Sequence, residues 1–210
     1  MYLTEFLTIA VAHLLAVASP GPDFAIVLRQ SIVRGKHAGL WTSLGIAGGI
    51  LLHVTYCLLG IGLLLSSSAN LLAGVKLVAA VYLVYLGITA IKASLGQFSY
   101  HSTKGDGSHI SAKSLVLTGF LTNGLNPKAT LFFLALFSVI IDADTPLLVQ
   151  VGYGVYLSLA TFIWFASLSL LLGIDSVRRF MLRAGQWFER AMGIILIALG
   201  MQLFVTLAPS

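Results

Sequence analysis

The sequence predicts an all-α integral membrane protein: six transmembrane helices, arranged as two inverted three-helix repeats, with helices 1 and 4 broken. Three observations carry that expectation. Of the 210 residues, 58% are hydrophobic and only 9% charged, with a mean hydropathy of +0.98, whereas a soluble domain carries about 25% charged residues. The apolar residues gather into six runs, each long enough for a ~30 Å hydrocarbon core, which takes roughly 20 helical residues. Two of these runs are interrupted by proline next to an ionisable residue, at Pro20-Gly21-Pro22-Asp23 and at Asn126-Pro127-Lys128.

The first run, Leu3–Leu28, contains the first break. The second, Leu40–Leu65, carries Gly45 and Gly49 four residues apart, a small-residue face on which helix backbones approach closely in lipid. The third, Leu71–Ile91, ends before a stretch rich in Ser, Gly, His and Lys at 94–114, which reads as a cytoplasmic connector. Leu115–Ile141 holds the second break, and Leu147–Gly173 and Ala191–Leu207 complete the set. All six are continuously apolar rather than alternating, which favours helices over a barrel. The chain thus reads as a single transporter domain, 1–210, with repeat one at about 1–93 and repeat two at about 115–210. Pro22-Asp23 matches Pro127-Lys128 at an offset of 105, and Val84-Tyr85-Leu86-Gly87 matches Ile197-Ala198-Leu199-Gly200 at 113. Because three is odd, a tandem three-helix unit inserts its second copy upside down, and corresponding breaks in the halves point to a binding site near the midplane.

Charge placement sets the orientation. The net charge is +5, and ten of the twelve basic residues lie after runs one, three and five: Arg29, Arg34, Lys36, Lys92, Lys104, Lys113, Arg178, Arg179, Arg183 and Arg190. The positive-inside rule places those loops in the cytoplasm and both termini outside. Nucleic acid is not an expected partner, since no soluble domain carries a groove-binding face. The single cysteine, Cys57, excludes a disulfide framework and a two-thiol relay and reads as a core residue. Ala16-Val17-Ala18 resembles a signal-peptidase site, but Met1–Glu5 has an acid and no basic residue, which is wrong for a signal peptide. No cofactor is expected, and enzyme chemistry lacks the paired catalytic groups it needs.

The breaks carry the chemistry. Pro22 and Pro127 suit the first position of a helix, where a missing N–H is harmless, and Asn126 is a good cap. Asp23 then meets the positive end of a helix dipole, while Lys128 sits at the same end against it and deep in an apolar run. A lysine there needs a partner, water or a lowered affinity for its proton. Helix starts attract a carboxylate, and an acid with a base suits a zwitterion such as a free α-amino acid better than a bare ion. Candidate substrate-binding or proton-coupling residues are therefore Asp23, Lys128, Pro20, Gly21, Pro22, Asn123, Asn126, Pro127 and His53. His13 and His53 lie inside runs and read first as hydrogen-bonded core histidines. Loop residues His101 and His109 lack the count and spacing of a metal site.

The stretch from Ser19 to Leu40, with Pro20-Gly21-Pro22-Asp23, Arg34-Gly35-Lys36 and Gly39, resembles the signature of the LysE/RhtB family of amino-acid exporters. Asn126-Pro127-Lys128-Ala129 followed by Leu131-Phe132-Phe133 resembles that family's second motif, and the likeness extends over essentially the whole chain, closest to the threonine/homoserine-type branch. The resemblance implies efflux of amino acids or derivatives across a bacterial inner membrane, driven by the proton-motive force. The expected partners are then an amino-acid substrate, protons and the lipid bilayer, with a homodimer suggested by the glycine faces. A metal or other cation exporter is the alternative; it needs a cluster of intramembrane acids and histidines, and the runs offer Asp23, His13 and His53.

Overall fold

The structure, a computed structural model, describes residues 2–67, 69–94, 110–142, 144–171 and 175–207. Eight α-helices and no strand occur among the described residues: α1 (Tyr2–Ala18), α2 (Pro22–Arg34), α3 (Lys36–Ser67), α4 (Ala69–Ala93), α5 (Ala112–Gly124), α6 (Pro127–Ala135), α7 (Leu147–Leu171) and α8 (Asp175–Leu207). A π-turn over Leu136–Ile140 extends α6.

Both predicted breaks are present. α1 and α2 meet at 53° across Ser19-Pro20-Gly21, and α5 and α6 are separated by Leu125 and Asn126. Pro22 and Pro127 each open their helix. Asn126 caps α6, its Oδ1 accepting the Lys128 amide at 3.0 Å, while the start of α2 has no side-chain cap. Between α2 and α3 the chain turns on Gly35 at φ +87°, a conformation that costs a side-chain-bearing residue steric strain.

Two described helices are long and apolar enough to cross a bilayer, Lys36–Gly60 and Leu147–Leu171, and the bent pair α1 + α2 makes a third. Large apolar side chains such as Leu3, Leu59, Leu148, Ile163 and Val205 point outward. That surface suits lipid and would aggregate in water. Two sequence boundaries move. α5 begins at Ala112, capped by Ser111, so the connector is shorter than 94–114 at its C-terminal end, and residues 95–109, with His101 and His109, lie outside the described residues. α8 begins at Asp175 rather than near Ala191: the arginine-rich stretch is helical, because hydropathy reports compatibility with lipid and not the good helix propensity of Arg, Met, Leu, Ala, Gln and Glu.

Close backbone approach organises the bundle. A Cβ on Gly87 of α4 would come within 2.6 Å of Gly193 O in α8, and one on Gly193 within 2.7 Å of Gly87 O. One on Gly200 would come within 2.9 Å of Ala80 O. Gly45 lies against the α5 backbone at Val116 and Phe120, and Gly49 against Asn123. The glycine face of the second run is therefore used within the chain and lends no support to a dimer. At one end of α1, the buried Glu5 carboxylate accepts hydrogen bonds from Asp142 N, Thr145 Oγ1 and Tyr153 OH, fastening α1 to α7 and the link before it. Around the breaks the core is aromatic and aliphatic, with Phe24, Phe132, Phe133, Phe165 and Leu168 all buried.

Candidate functional site

Each break delivers its ionisable residue to the same place. Pro22 and Pro127 put Asp23 and Lys128 in the first turn of α2 and α6, and a Cβ on Gly21 would stand 3.9 Å from Lys128 Nζ, so the Lys128 side chain reaches the first break. Between them lies a cavity of about 50 Å³, bordered by Ser19, Gly21, Pro22, Asp23, Asn123, Asn126 and Lys128 on its polar side and by Ile50, Phe132, Phe133, Phe165 and Met192 on its apolar side.

The acid and the base have different partners. Asp23 Oδ2 accepts a hydrogen bond from Asn123 Nδ2 at 2.9 Å, while Asp23 Oδ1 is buried and accepts none. Lys128 Nζ donates to Ser19 Oγ at 2.9 Å, and its ammonium lies within electrostatic reach of Asp23. Carboxylate and ammonium are thus held by two separate hydrogen bonds.

His53 is placed beside the site, not on the cavity wall. Its Nε2 is 3.0 Å from Asn123 O, a group that only accepts, so Nε2 carries a proton and donates. Its Nδ1 is 2.6 Å from Tyr56 OH, and the same hydroxyl lies 3.4 Å from Thr130 O. Through Nε2 the imidazole holds the Asn123 carbonyl near the end of α5, which also accepts Asn126 N at 2.9 Å. Phe133 stacks on that ring, with centroids 5.4 Å apart and planes 8° from parallel. His13 does line the cavity and is tied to Thr161 Oγ1 of α7 at 2.9 Å. Pro20 packs on Gly185 of α8, and Pro127 acts by starting α6 rather than by bordering the cavity.

Of the nine sequence candidates, Asp23, Lys128, Gly21, Pro22, Asn123 and Asn126 border the cavity, and Pro20, Pro127 and His53 support it. Sequence reasoning passed over Ser19, whose only signal was a hydroxyl just before the first proline, and Tyr56, which gave none. Among the described residues, no group of three or more His, Cys, Asp or Glu side chains is placed to hold a metal ion.

The family model for LysE type translocators matches residues 14–207, a span that includes both breaks and every residue of the cavity except His13. The chain belongs to the LysE type translocator family. Relatives of this translocator include the threonine efflux protein of Escherichia coli (strain K12), 26% identical over 204 residues that cover 97% of this chain and 99% of the relative. The threonine efflux protein of Salmonella typhi is 27% identical over 208 residues, with coverage of 97% and 99%. The uncharacterized membrane protein YrhP of Bacillus subtilis (strain 168) is 27% identical over 195 residues, covering 89% of the translocator and 91% of the relative. No solved structure matches it.

Proposed function

We propose that the chain exports a small neutral amino acid or derivative, of the threonine/homoserine kind, across the bacterial inner membrane in exchange for a proton. The observation that carries this reading is the convergence of two proline-started half-helices on one small cavity holding an acid and a base. The substrate's carboxylate lies between Lys128 and the uncapped start of α2, where the ammonium and the helix dipole both favour an anion. Its ammonium takes Asp23 Oδ1, the acceptor with no hydrogen bond. The apolar wall receives a short side chain, and the cavity's size favours a small one.

A zwitterion has no net charge, so the membrane potential alone cannot drive it out. Exchange for one proton supplies about 2.3 kcal/mol per 100 mV, a gradient of roughly fifty-fold before any pH difference. Asp23 is the proton carrier in this scheme, taking a proton from outside when the substrate leaves. The threonine efflux relatives, matched over nearly the whole chain, support the substrate class.

The proposed architecture is one domain of six spans, both termini outside, with repeat one at about 1–93 and repeat two at about 115–210 joined by the connector. The offset of 113 that aligns Gly87 with Gly200 also aligns Ala80 with Gly193. α4 and α8 meet with Gly87 on Gly193 and Ala80 facing Gly200. Small residues thus meet at both points, as close helix packing in lipid requires, and the proposed inverted pair would place its in-plane axis between them. Half-helices rocking about such an axis would open the cavity to one side and then the other.

The test is release of labelled amino acids and analogues from preloaded cells overproducing the chain, with growth protection scored beside it. Faster release of threonine or homoserine is expected. Protection against a divalent metal, with no amino acid released, would put the cation exporter in its place.

A further inference from the structure

The break residues are not the only charges at this centre. Gly185, Glu189 and Met192 of α8 are spaced four and three residues apart, which puts them on one helix face. A Cβ on Gly185 would come within 2.6 Å of Pro20 in the first break, and Met192 lines the cavity. Glu189 lies between them, partly buried, and its carboxylate is within electrostatic reach of Lys128.

We propose that Glu189 is a positioning residue of the exporter site, a second counter-charge that draws the Lys128 ammonium away from Asp23 and so reserves Asp23 for a positively charged guest. This rests on the exporter reading and deepens it: the guest's class is a primary amine. Two carboxyl groups share one amine at this centre, so Lys128 cannot serve both acids at once. Lys128 Nζ is bonded to Ser19 Oγ rather than to Asp23, and Asp23 Oδ1 has no hydrogen bond. A buried carboxylate oxygen in that state is strongly unfavourable until a donor reaches it, so the empty acceptor selects for an N–H⁺ group over a neutral or anionic one. Without Glu189, Lys128 would have Asp23 as its nearest acid, and the amine would compete with a resident cation.

The experiment uses the full chain in lipid vesicles, with labelled threonine as the probe. 1-Amino-2-propanol, an amine with no carboxylate, and 2-hydroxybutyrate, a carboxylate with no amine, serve as competitors. The wild-type chain should bind the amine better than the hydroxy acid. Glu189→Gln should shrink that ratio by about tenfold, while Glu189→Asp keeps it within about threefold, a tenfold change being one decade of binding constant. A ratio unmoved in Glu189→Gln, or lost equally in both variants, overturns the proposal. A melting-temperature cycle of Glu189→Gln, Lys128→Gln and the double variant needs no transport. Coupled charges should make the double depart from the sum of the singles by about 2–4 °C, and simple additivity overturns the coupling. If the wild-type chain binds no amino acid at all, the exporter reading fails and the amine guest with it, while the melting cycle still decides whether Glu189 and Lys128 interact.

Discussion

Replacing Asn123 by leucine should impair substrate handling by roughly 10- to 150-fold while leaving the helix in place. Asn123 is 1% exposed, and its Nδ2 makes a 2.9 Å hydrogen bond to Asp23 Oδ2. Leucine at this position leaves Asp23 Oδ2 without this donor. What is lost is a hydrogen bond to a charged group, worth about 1.5–3 kcal/mol, and each 1.4 kcal/mol is a factor of ten. The His53 bond to the Asn123 carbonyl uses backbone and persists in the variant. The stranded acceptor costs about 1–3 kcal/mol of stability, so the melting temperature should fall by roughly 2–12 °C. The assay is counterflow of labelled threonine in proteoliposomes, read as KM and maximal rate beside the melting curve. A well-inserted variant whose KM and rate both stay within about twofold of wild type would show that Asp23 works without Asn123, and the proposed geometry would be wrong.

Three further substitutions test other parts of the same reading. Asp23→Asn should abolish proton-driven efflux yet insert normally, and undiminished pumping would remove Asp23 as the proton carrier. Lys128→Met should lose substrate affinity, measured by equilibrium binding of labelled threonine; unchanged affinity would end its contact role. Gly87→Leu should lower stability by about 1–3 kcal/mol or more, because its Cβ alone would meet Gly193 O at 2.6 Å. Gly74→Ala, which has nothing within 4 Å of its new Cβ, is the control, and equal melting temperatures for the two would contradict the α4–α8 contact.

The breaks were legible because proline, asparagine and a charge at membrane depth each break a local rule, and rule-breaking residues stand out in a background of Leu, Val and Ala. Pro22, Pro127 and the Asn126 cap follow from backbone chemistry alone, and the structure has them where that chemistry requires. Ser19 was not legible as a partner for Lys128, because it lies 109 residues away along the chain and nothing local marks a hydroxyl as its acceptor. Glu189 was hidden for a different reason. It stands among Arg178, Arg179, Arg183 and Arg190, a cluster that reads as a cytoplasmic loop, and only the continuity of α8 back to Asp175 turns it toward Lys128. The histidines show the converse. Inside apolar runs they read first as hydrogen-bonded core residues, and His53 is held by Tyr56 and Asn123, and His13 by Thr161, the partners a buried imidazole needs in any role.

Under the proposed inverted repeat, Asp23 and Lys128 occupy the same position of their two copies, 105 residues apart. Two identical acids there would repel one another and hold only the ammonium end of an amino acid; two lysines would hold only the carboxylate. An acid in one copy and a base in the other fixes both ends of a zwitterion across the axis about which the halves move. The two copies can diverge in this way because each helix start tolerates its own departure. Asp23 agrees with its dipole, and Lys128, which opposes its own, is held by Ser19 from the opposite break. The base therefore depends on the first repeat for its placement. A rocking motion that separates the breaks must also break the Lys128–Ser19 bond, which makes Ser19→Ala the substitution expected to alter the rate of opening more than the affinity for substrate. A stopped-flow comparison of exchange rate against equilibrium binding would show this, and a variant that loses affinity while keeping its rate would refute the dependence.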